Sequence, residues 1–94
     1  MNIQQSGNRF ERQEQILQEI RSQISELLGF NDSEQLDVNA SLLEIGADSI
    51  TVMQAITKIK DNYGVQISIR QFFEELTTLN ALADYITQNV VLDN

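Results

Sequence analysis

Residues 42–50 read Leu42-Leu43-Glu44-Ile45-Gly46-Ala47-Asp48-Ser49-Ile50, and they join an irregular segment to a helical one. Between Phe30 and Asp48, turn-forming residues are interleaved with apolar ones and no helical period is present. After Ser49 the apolar residues recur at helical spacing, at Ile50, Met53, Ile56 and Ile59. Ser49 is therefore predicted at the start of a helix. Either Asp48 or Ser49 could cap that helix by accepting a hydrogen bond from an amide of its first turn.

Helical patterns also lie on both sides of this stretch. The first helix is predicted from Phe10 to a stop at Gly29, with Ile20, Ile24 and Leu27 in the core. The helix that starts at Ser49 should end at Gly64. Its apolar residues Ile50 and Met53 are expected to anchor it as core or rim residues and to flank Ser49.

Two more helices complete the pattern. Ser68 and Gln71 form a capping-box sequence, which predicts a short third helix containing Phe72, Phe73 and Leu76. The last helix is indicated by apolar residues at helical spacing, at Leu79, Leu82, Ala83, Ile86 and Val90. Val65, Ile67 and Ile69 alternate with polar residues over a span too short for a sheet, so they are predicted to form an extended connector.

The fold class that follows is all-α: a small four-helix bundle with a long loop between helices 1 and 2 and a short third helix. Apolar residues within the long loop should pin it across the bundle, with a helical turn near Ser41 to Glu44. We expect a flexible tail or linker over residues 1–8, one domain over residues 9–90 and a second tail over residues 91–94.

Composition excludes several classes of function. The 94 residues include 14 acidic and 6 basic side chains, for a net charge of −8, so nucleic acid and anionic membrane surfaces are not expected partners, and a partner with a basic face is favoured. The absence of cysteine and histidine removes the usual nucleophile, general base and metal ligands, so neither a catalytic nor a metal site is predicted. With no signal peptide in the sequence, a cytoplasmic location is expected.

The stretch Gly46-Ala47-Asp48-Ser49-Ile50 resembles the attachment motif of acyl and peptidyl carrier proteins, and the order of the helices extends that resemblance from about Phe10 to Val90. In that family a serine carries 4′-phosphopantetheine, made from coenzyme A, as a covalent arm whose thiol holds an acyl intermediate as a thioester. The resemblance places the arm on Ser49, with Gly46, Asp48 and Ile50 as the flanking motif. Gly46 and Ala47 would leave little bulk beside the serine, so a modifying enzyme could approach it.

The details of the motif favour one branch of the family. Ala47 and Asp48 differ from the second glycine and the His or Asn that peptidyl carriers commonly have, and Lys58 and Lys60 dilute the acidic second helix typical of fatty-acid carriers. The motif is most similar to carriers of polyketide synthases and of mixed polyketide–nonribosomal peptide synthases. The resemblance then implies a non-catalytic carrier domain, monomeric when isolated. Its implied partners are a phosphopantetheinyl transferase and the loading, condensing and tailoring domains of a synthase.

An alternative stays open at this level. An unmodified helical module that only docks on a larger partner would have the same hydrophobic pattern and charge, because those features specify a fold and not a function. Whether Ser49 accepts the arm separates the two readings.

Overall fold

The computed structural model describes the backbone of residues 3–90 and the side chains of residues 11–90. Within that range the chain is helical and contains no strand, which confirms the all-α prediction. The elements in order are α1 (Ile3–Leu28), a 3₁₀ turn (Ser33–Gln35), α2 (Leu42–Ile45), α3 (Ser49–Tyr63), α4 (Ile69–Glu74) and α5 (Leu79–Asn89).

Helix α1 packs along α5 and also contacts α3, while the short α4 lies against α3. The four predicted helices correspond to α1, α3, α4 and α5, and α2 is the helical turn predicted near Ser41 to Glu44. One continuous core lies between them. Its buried apolar residues are Ile16, Leu17, Ile20, Ile24, Leu36, Leu42, Ala47, Val52, Ala55, Ile59, Val65, Ile67, Phe72, Leu76, Leu79, Leu82, Ala83 and Ile86.

Local capping explains where the helices begin and end. Both halves of the capping box predicted for Ser68 and Gln71 are present at the start of α4. The Thr78 hydroxyl accepts a hydrogen bond from the Ala81 amide and starts α5 in a similar way. Gly64 ends α3 in the left-handed conformation, with φ of 70°, as predicted.

The N-terminal boundary differs from expectation. Helix α1 begins at Ile3, so residues 3–8 of the expected tail have helical backbone. This segment has no proline, and Gly7 alone costs a helix only about 1 kcal/mol relative to alanine. The spacing of apolar residues could not predict this first part of α1, because a helical turn can form without a buried row of apolar side chains. Residues 1–2 and 91–94 lie outside the described residues.

The buried face of α3 also differs from expectation. Ile59 is buried as predicted, but its partners in the core are Val52 and Ala55, whereas Ile50 and Met53 are 67% and 54% exposed. Both sets of positions follow helical spacing, so the period alone could not choose between them. The prediction that Ile50 and Met53 anchor the helix is therefore wrong. In α1, Ile20 and Ile24 are buried as predicted, while Leu27 is only half-buried.

Within residues 3–90, no helix is both long enough and apolar enough to cross a membrane.

Candidate functional site

The site at the start of α3 is held by the short helix α2 that precedes it. The Leu42 side chain is fully buried, and its amide donates a hydrogen bond to the Thr77 carbonyl across the fold at 2.8 Å. The Gly46 and Ala47 amides both donate back to the Leu42 carbonyl, at 3.2 and 3.0 Å. These bonds close α2 and fix the direction in which the chain enters α3.

Gly46 is the C-cap of α2, with φ of 130° and ψ of 6°. This conformation lies in the region that favours glycine, and a Cβ atom built there would have no neighbour within 4 Å. Space beside the motif is therefore open at Gly46. The Ala47 methyl group is buried in the core and so adds little bulk at the surface beside the serine.

Asp48 is the N-cap of α3, which answers the question that the sequence left open. Its carboxylate accepts a hydrogen bond from the Thr51 amide at 2.9 Å, and its backbone is extended as capping requires. The hydrogen bond from Thr51 lowers the pKa of Asp48 below its usual range, because it favours the charged carboxylate. A negative charge here also lies at the positive end of the helix dipole.

Ser49 is the first residue of α3 and is exposed. Because Asp48 caps the helix, Ser49 does not need its hydroxyl for that purpose, and among the described residues no side-chain hydrogen bond occupies it. Ile50, the last member of the predicted motif, lies next to it on the surface. The four motif residues are thus brought together at one helix start, with Gly46, Ser49 and Ile50 exposed around the Asp48 cap.

Sequence reasoning missed the residues that hold the site in place. Arg21 on α1 donates hydrogen bonds to the carbonyls of Leu36 and Glu34, at 3.0 and 3.2 Å, and so fastens the loop that leads to α2. Thr77 contributes a backbone carbonyl, which no side-chain pattern could reveal. For Arg21 the one available signal is its place beside Ile20 and Ile24, at the edge of the buried stripe of α1.

Comparison with known proteins agrees with this geometry. Residues 18–86, well over half of the chain, match the family model described as the phosphopantetheine attachment site. The chain belongs to the phosphopantetheine-binding carrier family. The cofactor of a carrier domain in this family is covalently attached 4′-phosphopantetheine, and such domains are generally non-catalytic.

Three relatives of this carrier domain share the same level of identity. An acyl carrier protein of Cyanidioschyzon merolae is 32% identical over 78 residues, which cover 82% of this chain and 84% of that protein. An acyl carrier protein of Streptococcus thermophilus is 32% identical over 73 residues, 78% of this chain and 93% of that protein. Polyketide synthase ThaG of Burkholderia thailandensis is 32% identical over 74 residues, which cover 79% of this chain but only 1% of the synthase.

The residues at the start of α3 fit the cofactor of the family. An exposed hydroxyl can be joined to a phosphate, the open space at Gly46 leaves room beside it, and the first turn of a helix favours an anion through its amides and dipole. When bound, the arm supplies a thiol that can hold an acyl group as a thioester. The chain itself supplies the attachment point and its surroundings.

Proposed function

We propose that Ser49 is the residue that carries the phosphopantetheine arm, and that the domain delivers acyl intermediates to the catalytic domains of a polyketide or mixed polyketide–nonribosomal peptide synthase. The proposal rests on the different roles of two neighbouring residues at the start of α3, Asp48 and Ser49. Asp48 caps α3 through the Thr51 amide, so the neighbouring Ser49 hydroxyl is exposed and available for modification.

Modification of Ser49 would require a separate enzyme. A serine hydroxyl is a weak nucleophile unless a base activates it, and this chain contains no histidine. The residue three positions after Ser49 is Val52, so the Ser-x-x-Lys arrangement is missing as well. A phosphopantetheinyl transferase would have to supply the base, and the exposed helix start gives it access.

The role of the domain is then transport. A tethered intermediate has a high effective concentration at each neighbouring active site, which raises the rate of encounter without lowering a chemical barrier. The synthase subtype is supported by the Gly46-Ala47-Asp48-Ser49-Ile50 motif and by the similarity to a polyketide synthase. The loading, condensing and tailoring domains of such a synthase are the proposed partners, and the isolated domain is proposed to be a monomer.

The test is the intact mass of the protein after incubation with coenzyme A, magnesium and a promiscuous phosphopantetheinyl transferase. The wild-type chain should gain one phosphopantetheine. Ser49→Ala should gain none, while Ser22→Ala, which removes another exposed serine hydroxyl, should be modified like the wild type. Circular dichroism of each variant verifies that it is folded.

A folded wild-type chain that gains no mass, beside a known carrier that does, would favour the unmodified docking module. A mass gain of one phosphopantetheine in Ser49→Ala would show that the arm is attached to a different residue.

A further inference from the structure

A polar cavity lies where the end of α1 meets the 3₁₀ turn. Its volume is about 350 Å³, far more than the ~10–15 Å³ that one water molecule requires. Its polar lining residues are Ser22, Ser25, Glu26, Asn31, Asp32 and Ser33. Among the described residues of the lining, none is basic and none belongs to α3. The cavity therefore has room for a ligand larger than one ion, on a surface separate from the candidate site at the start of α3.

The hydroxyl of Ser25 is left without a hydrogen bond by the fold. The Ser25 side chain is 3% exposed, and its hydroxyl has no partner among the described residues. The Ser25 carbonyl, in contrast, accepts a hydrogen bond from the Phe30 amide at 2.9 Å. A buried hydroxyl without a partner destabilises a fold, and most buried side-chain polar atoms have a partner. A hydrogen-bond donor that entered the cavity would supply the missing one.

Negative charge comes from both segments that line the cavity. Ser22, Ser25 and Glu26 share one face of α1, because they are three and four residues apart. Asp32 comes from the loop, where the Glu34 amide holds its carboxylate with a hydrogen bond of 3.0 Å. The C-terminal end of α1, which is the negative end of the helix dipole, lies at the same junction. These features favour a cation over an anion.

The acceptors in the lining also indicate the kind of cation. Oxygens of Ser22, Ser25 and Asn31 accompany the two carboxylates, and this set suits a compact group with several N–H donors. A primary ammonium has three such donors, whereas the planar guanidinium of arginine is suited to two oxygens of one carboxylate. Within the described part of the chain, no three acidic side chains are grouped to hold a metal ion. Phe30 also lines the cavity, and its ring can contact a methylene chain.

We infer that this cavity binds a lysine side chain of a protein partner, whose ammonium group contacts the Glu26 and Asp32 carboxylates and donates a hydrogen bond to the Ser25 hydroxyl. The net charge of −8 favours a partner with a basic face. Glu26 and Asp32 are exposed, so a side chain can enter from the surface. A lysine presented by a larger interface needs only weak contacts of its own, because that interface holds it at a high effective concentration.

A titration of the ¹⁵N-labelled, unmodified protein with n-butylammonium chloride tests the inference, since this compound has the chain and charge of a lysine side chain. Sodium chloride keeps the ionic strength constant. We expect saturable shifts at the amides of the lining residues, with a dissociation constant on the order of 10 mM, because so small a ligand makes few contacts. The uncharged n-butanol should cause no saturable shift. Equal shifts with n-butanol, or no saturation with n-butylammonium, would overturn the inference.

Two variants with the same change in net charge provide a matched comparison. Glu26→Gln should weaken binding about threefold, as expected for the loss of one exposed ion pair. Glu14→Gln removes an exposed acidic group elsewhere on α1 and should leave the affinity unchanged. Ser25→Ala, verified as folded by circular dichroism, should weaken binding by a similar factor to Glu26→Gln. Equal weakening by both glutamate variants, or unchanged affinity in Ser25→Ala, would contradict the assigned site.

A further comparison separates a partner's lysine from other cations. Lysine blocked with acetyl and methylamide groups carries the same ammonium chain on a peptide backbone, so it should bind at least as tightly as n-butylammonium. Exclusion of the blocked lysine would assign the cavity to a small free amine, and the same shifts with magnesium chloride at lower concentration would assign it to a divalent cation. Either result would replace the inference. None of these measurements depends on whether Ser49 accepts the arm, so their failure would leave the carrier function intact.

Discussion

At the scale of single residues, the site depends on which of two neighbours caps the helix. A serine at the N-cap uses its oxygen to accept a backbone hydrogen bond, which would hold the hydroxyl against the helix. With Asp48 in that position, the carboxylate takes the Thr51 amide and Ser49 becomes the first helical residue. Both arrangements fit the sequence, because Asp and Ser are equally good caps.

The cap makes the stability of α3 depend on pH. The pKa of Asp48 is lowered in the folded state by the hydrogen bond from Thr51. The contribution of ionised Asp48 to the free energy of unfolding is therefore fully present above the pKa of the unfolded state, about 3.9. That contribution is lost as the pH falls through the lower pKa of the folded state. Asp48→Asn keeps an oxygen for the cap but does not titrate. We expect the wild type to lose more free energy of unfolding than Asp48→Asn between pH 5 and pH 2, measured by urea denaturation.

A comparison of Asp48→Ala with Asp48→Asn separates the loss of the capping hydrogen bond from the loss of the negative charge. This variant removes the side-chain acceptor, so it should be less stable than the wild type at pH 7, where Asp48→Asn should stay close to the wild type. Equal losses for the wild type and Asp48→Asn on acidification would mean that other carboxylates cause the acid sensitivity.

At the scale of the elements, the long connection between α1 and α3 is a fixed part of the fold. Leu36 and Leu42 are fully buried, and Arg21 binds two loop carbonyls from the side of α1. From the side of α5, the backbone amide of Asn80 donates a hydrogen bond to the Val38 carbonyl at 3.1 Å. The loop therefore sets the position of α2, and through α2 the start of α3.

Removing one of these anchors should loosen the loop before it unfolds the bundle. Arg21→Ala leaves the Leu36 and Glu34 carbonyls without their guanidinium donor, which should cost about 1–2 kcal/mol. Hydrogen exchange should show faster exchange at the 3₁₀ turn and α2, with α5 changing less. Arg12→Ala removes an exposed arginine from the same helix and should have little effect. Uniform acceleration over the whole chain would instead indicate a global loss of stability.

Much of this architecture could be predicted from the sequence, and what could not be predicted at α3 depends on how that helix packs. The caps at Ser68 and Gly64 were predicted because a local motif determines each of them. The buried face of α3 was not, because Ile50 with Met53 and Val52 with Ala55 are both apolar rows and only packing selects one. The motif indicates the candidate site, but it does not determine that Asp48 and not Ser49 takes the extended backbone conformation of the N-cap.

At the scale of the whole molecule, acidic side chains outnumber basic ones. Fourteen acidic and six basic residues leave a net charge of −8. Among the described side chains, the only salt bridge joins Arg70 and Glu74 at 3.3 Å, and both side chains are largely exposed, so it contributes little. Arg21 donates to carbonyls and does not offset a carboxylate directly. Repulsion between acidic groups should therefore oppose folding at low ionic strength.

Thermal unfolding at two salt concentrations tests this repulsion. Glu11 and Glu14 are exposed on one face of α1, three residues apart. Like charges at that spacing destabilise a helix by a few tenths of a kcal/mol, so Glu14→Gln should raise the melting temperature by about 2 °C at low salt. The gain should shrink in 1 M NaCl, where the screening length falls to about 3 Å. Gln15→Glu adds an acidic group on the same helix and should lower the melting temperature under the same low-salt condition. A gain for Glu14→Gln that persists in 1 M NaCl would assign the effect to helix propensity or packing, since neither of these is screened by salt.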